Sequence, residues 1–123
     1  MKKILGLTVL ITFFCISCYY DNVENLYPEI NSACDTTNVT FSSTISVMLS
    51  NNCLSCHSNT TAANFGNNIR LQDYSDVNAQ RQRVLGSIKH NSGFSPMPKG
   101  GAKLNDCLIT QFEIWVNNGS PNN

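Results

Sequence analysis

Apolar positions along this chain fall into three regimes. A predominantly apolar run from Ile4 to Phe14 follows Lys2 and Lys3; residues 19–33 are polar, hold Pro28 and show no period; beyond Cys34 the apolar residues recur at helical spacing. Three helices follow from that spacing. The first takes Ser42 or Ser43 as its cap and carries Ile45, Met48, Leu49 and Cys53 on one face. The second opens after Asp73 and lines up Val77, Val84, Leu85 and Ile88, with Arg81, Gln82 and Arg83 largely elsewhere. The third follows an Asn105 cap, carries Leu108, Ile109, Phe112, Trp115 and Val116 on a stripe, and stops at Gly119 and Pro121. Asn59–Gln72, rich in Thr and Asn, reads as loop, and no strand pattern is visible, so the expected class is all-α.

The apolar run at the start is too short to span a bilayer and has the shape of an export signal. It ends in Cys15-Ile16-Ser17-Cys18, which resembles a bacterial lipobox, although Cys15 stands where that pattern prefers leucine. The expected organisation is a signal peptide over 1–17, a lipidated Cys18 with a flexible tether over 18–33, and one small domain over 34–123. Ordinary signal cleavage, giving a soluble periplasmic protein, is the competing expectation. Loss of residues 1–17 removes two of the eight Lys+Arg and none of the eight Asp+Glu, which leaves a net charge of −2. Nothing in that charge suggests nucleic-acid binding.

Chemistry concentrates in Cys53-Leu54-Ser55-Cys56-His57. Two thiols separated by two residues can each add across one vinyl group of a haem, and a histidine directly after the second is placed to ligate the iron. A structural zinc site would need another ligand pair, and Cys34 and Cys107 are isolated singles. A redox dithiol would sit in a βαβ unit, which the pattern lacks. A domain this small also buries little surface of its own, so a covalent cofactor would supply missing core.

The other axial position points to Ser95-Pro96-Met97-Pro98-Lys99-Gly100-Gly101. Two proline rings hold Met97 in extended backbone, suited to presenting one side chain at a fixed height. A thioether is a soft ligand that raises the reduction potential, and filling both axial positions leaves no substrate site. His90 is the rival ligand, or else a surface histidine at a helix C-terminus; Met48, on the helix that delivers Cys53, is less suited. Lys89, Lys99 and Lys103 flank Met97 in sequence and form an expected basic rim for an acidic partner.

With these pieces in order, residues from about Phe41 to Gly119 resemble the small single-haem class I cytochromes c of the bacterial lipoprotein type. The resemblance rests on Asn52-Cys53-Leu54-Ser55-Cys56-His57, Pro96-Met97-Pro98-Lys99-Gly100-Gly101 and Trp115-Val116-Asn117-Asn118-Gly119. It implies a compact helical fold whose first and last helices cross near one covalently bound haem c, and a role as an electron carrier. The implied setting is an extracytoplasmic redox chain at a bacterial membrane, with redox proteins as partners. A haem enzyme or ligand sensor with an open or displaceable sixth site is the alternative. Of the six cysteines, Cys15 leaves with the signal, Cys18 takes lipid and Cys53 and Cys56 take haem, so Cys34 and Cys107 remain to pair in an oxidising compartment.

Overall fold

The computed structural model describes residues 34–123. The expected signal peptide over 1–17, the expected lipidation of Cys18 and the expected tether over 18–33 lie outside that range. The fold is all-α. A wide helical turn, Phe41–Ile45, runs into α1 (Ser46–Asn52), which is followed by two single-turn helices, α2 (Leu54–His57) and α3 (Ala62–Phe65). The two long elements are α4 (Tyr74–Ile88) and α5 (Asp106–Asn117), and no strand occurs among the described residues. Among the described residues no helix is long and apolar enough to cross a membrane.

The start of the first helix differs from the Ser42 or Ser43 cap expected from sequence. Thr40 is the cap, its hydroxyl accepting from the Ser43 N–H at 3.1 Å. Two further N–H groups that a helix start leaves unpaired find partners far along the chain. Phe41 N–H donates to Asn123 Oδ1 at 2.9 Å and Ser42 N–H to Asn123 O at 2.8 Å. The turn is wound wide: Ile45 N–H reaches Thr40 O at 3.1 Å and Ser46 N–H reaches Phe41 O, an i to i+5 pattern that is rare outside functional or strained segments.

α4 and α5 begin where the sequence pattern places them. Asn105 caps α5 through Oδ1, which accepts from Leu108 N–H at 2.9 Å. Asp73 stands at the start of α4 but caps nothing; its carboxylate accepts from Asn59 Nδ2 at 2.9 Å and ties the preceding loop down instead. α5 stops because Gly119 enters the left-handed region at φ +85°. The chain then returns across the domain, with Tyr74 OH donating to Ser120 O at 2.8 Å and Trp115 Nε1–H to Pro121 O at 2.9 Å.

The core gathers the expected faces of all three helices: Ile45, Met48 and Leu49 from the first, Val77, Val84 and Ile88 from α4, and Ile109, Phe112, Trp115 and Val116 from α5. Phe41, Leu71 and Leu104 complete it. Phe41 joins the elements, packing edge-on to Tyr74 with ring centroids 5.1 Å apart and tilted against Trp115 at 5.8 Å.

Cys34 and Cys107 stand at disulfide distance, with Cα atoms 5.4 Å apart across a sequence separation of 73. The pairing ties the entry of the domain to the first turn of α5, and one turn further on Gln111 Nε2 also donates to Asp35 O at 2.8 Å. In protein recovered from an oxidising compartment, alkylation before reduction is expected to leave both thiols unlabelled. Peptide mapping that finds both labelled would show that the pair does not form in the cell.

Candidate functional site

The five residues Cys53–His57 occupy the junction of α1 and α2. Cys53 breaks the helix, with φ −126° and ψ −37°, while its N–H still bonds Leu49 O at 2.8 Å. Its carbonyl accepts from Cys56 N–H at 3.1 Å and His57 N–H at 2.9 Å. One turn of backbone therefore fixes the two cysteines and the histidine relative to each other. Cys53 and Cys56 are both free thiols. Cys53 is half-buried against the core, and burial pushes its thiol up to about 11, so the neutral S–H form is held there. Cys56 is exposed.

His57 is oriented through its ring nitrogen. Nδ1 lies 2.8 Å from Ile69 O. A carbonyl can only accept, so Nδ1 carries the proton in that contact and the neutral ring keeps its lone pair on Nε2. This is the arrangement found around metal-bound histidines, whose second nitrogen is fixed by a backbone carbonyl or a carboxylate.

The carbonyl of Ile69 reaches His57 because of the loop between α3 and α4. Asn67 and Asn68 adopt left-handed backbone at φ +51° and +60°, which suits asparagine, and Asn68 N–H closes on Ala62 O at 2.9 Å. Leu71 N–H then bonds His57 O at 2.9 Å. Gly66 lies directly against the site: a Cβ there would stand 2.6 Å from Cys56 O, 2.8 Å from His57 Nδ1 and 3.1 Å from Ala62 Cα. Neither Gly66 nor Ile69 is marked by the linear sequence, since both act through contacts closed by the fold.

Met97 is half-buried in the loop between α4 and α5. Its N–H donates to Ser87 O at 3.1 Å, and the segment turns after it, with Gly101 N–H on Pro98 O at 3.2 Å. Met48 is 3 % exposed and belongs to the core. His90 is exposed just past the end of α4, and its Nε2 lies 3.0 Å from Met97 O. The rival ligand of the sequence reading is thus bonded to the backbone of the first choice.

The expected basic rim is reduced. Lys89 Nζ pairs with Glu113 Oε1 at 2.7 Å and Lys103 Nζ lies 3.7 Å from Asp106 Oδ1, so two of the three positive charges stand beside carboxylates. Lys99 is exposed.

Among the described residues no group of three or more His, Cys, Asp or Glu is clustered as a metal cage. The two cysteines a zinc site would borrow, Cys34 and Cys107, are at bonding distance from each other. A haem makes a smaller demand, because the porphyrin brings four nitrogen ligands and the chain needs to add one or two. The chain's donors fit that demand: two unpaired thiols on one turn, an imidazole with Nε2 free, and a thioether held on a loop. Comparison of the chain with protein-family models, with curated proteins and with solved structures found no match.

Proposed function

We propose that this protein is an electron carrier holding one haem c through thioether bonds to Cys53 and Cys56, with His57 and Met97 as axial ligands. The observation that carries the reading is the bond between His57 Nδ1 and Ile69 O, which leaves Nε2 as the ligating atom on the same turn as two free thiols. Bound haem would supply one-electron iron chemistry. The chain's own part is to attach, ligate and shield. Cys53 and Cys56 would hold the group covalently, and His57 and Met97 would ligate its iron, with Met97, a soft donor on a tethered loop, raising the potential and leaving no position for a substrate.

The signal-like start and Cys18 support a place outside the cytoplasm, anchored to a bacterial membrane, where redox proteins of an extracytoplasmic chain are the partners. Expression in a host with a haem-attachment system tests both parts. A haem-stained band on denaturing electrophoresis is expected, lost in Cys53→Ser/Cys56→Ser and moved from the membrane fraction to the soluble fraction in Cys18→Ser. A colourless polypeptide from such a host rules out haem c, and a haem-stained band that is soluble in the wild type rules out the anchor.

A further inference from the structure

The loop that carries Met97 is held to the end of α4 by a closed set of contacts. Ser87 O accepts from Met97 N–H at 3.1 Å and also from His90 N–H at 3.2 Å. Asn91 N–H bonds Gly86 O at 2.9 Å, and the Phe94 ring lies so close over Gly86 that a Cβ there would stand 2.6 Å from its carbons. His90 takes left-handed backbone at φ +57°, a conformation costly for a residue with a side chain, and its ring reaches Met97 O at 3.0 Å.

We propose that His90 is the positioning residue for Met97, clasping its carbonyl so that the thioether is presented to the haem iron. The inference rests on Met97 being an axial ligand. A carbonyl has no proton to give, so His90 Nε2–H is the donor, and while the clasp holds, that nitrogen has no lone pair for iron. The two ends of the Met97 peptide are then fixed to one helix turn: the N–H through Ser87 O and the C=O through His90. With φ of the flanking prolines also fixed, little backbone freedom is left at Met97. Loss of one such bond raises the population of the detached loop, which is the state in which an outside ligand reaches the iron. The sequence gives no hint of this role, since a histidine after a helix is ordinarily explained by the helix dipole alone.

The test uses the haem-loaded protein with His90→Ala, His90→Gln and Met97→Ala. In His90→Ala the ferric protein is expected to bind cyanide about fivefold faster than wild type, the change that removal of one ordinary hydrogen bond allows. The far-red thioether-to-iron absorption should weaken, and the Met97 amide should exchange with deuterium about fivefold faster. His90→Gln, whose side-chain N–H can donate to the same carbonyl, should move all three readouts back towards wild type. Equal cyanide rates and equal amide exchange in His90→Ala and wild type overturn the clasp. A His90→Ala protein that loses its sixth ligand outright, with Met97→Ala unchanged, overturns it in favour of His90 as ligand. A wild type with neither the far-red absorption nor any response to Met97→Ala shows that the Met97 reading itself has failed, and the clasp with it.

Discussion

Gly66→Ala is expected to cost the domain about 3 kcal/mol and to detach His57 from Ile69, the upper end of what an overpacked site usually shows. The added Cβ would meet Cys56 O at 2.6 Å, His57 Nδ1 at 2.8 Å and Ala62 Cα at 3.1 Å. Two of those atoms belong to the backbone and cannot swing aside. The third is the ring nitrogen that the proposed haem ligand uses to fix its tautomer. Relief therefore comes either from moving the α2 turn, which carries Cys56 and begins directly after Cys53, or from rotating His57 away from the carbonyl. Chemical denaturation followed by circular dichroism measures the first effect. The slowly exchanging Nδ1 proton of His57 in the NMR spectrum, expected in the wild type and lost in the variant, measures the second. Gly101→Ala is the control, since its Cβ would meet only Pro98 at 3.4 Å and should change stability by no more than about 0.5 kcal/mol. A Gly66→Ala protein as stable as wild type, with the His57 proton still protected, would show that the close packing around the imidazole is not needed.

That glycine marks the limit of what the residue pattern discloses. Local physics was legible: the stripe Ile109, Phe112, Trp115, Val116 is buried, and Asn105 caps the helix that carries it. The two cysteines and His57 lie on one turn because their spacing leaves the backbone little choice. Contacts closed by the fold were not legible. Thr40 replaces Ser42 or Ser43 as the first cap because Asn123, far away in sequence, covers the N–H groups of Phe41 and Ser42. The α3 turn, Ala62–Phe65, is hidden in a Thr- and Asn-rich stretch that periodicity assigns to loop, and it forms as the chain doubles back to place Ile69 O on His57. Lys89 and Lys103 read as a rim for a partner, yet Glu113 and Asp106 stand next to them in space. An isolated motif shows which side chains can do chemistry, and the loops that orient them are chosen by packing.

The largest loss of stability is expected from Trp115→Ala, at about 3–5 kcal/mol, a large part of what a domain of this size has. Trp115 has no exposed surface and contacts both Phe112, with centroids 5.5 Å apart, and Phe41 at 5.8 Å. Truncation leaves a cavity bounded by two rigid rings, which collapse poorly, and it also removes the donor to Pro121 O. The second loss matters because the segment after α5 is what holds the helix start: Pro121 is anchored by Trp115, Ser120 by Tyr74, and Asn123 then reaches Phe41 and Ser42. Freed at Pro121, that segment should release the wide turn ahead of α1, the helix that leads into Cys53. Trp115→Phe separates the two contributions, keeping most of the ring volume while deleting the N–H, and should cost about 1 kcal/mol beyond its smaller burial. Amide exchange at Phe41 and Ser42 reports the anchor directly: both should exchange faster in Trp115→Phe, while amides in the middle of α4 stay near wild type. If Trp115→Phe unfolds at the wild-type denaturant concentration with Phe41 and Ser42 equally protected, the indole bond to Pro121 does not support the helix start, and the stability of this end of the domain rests on ring packing alone.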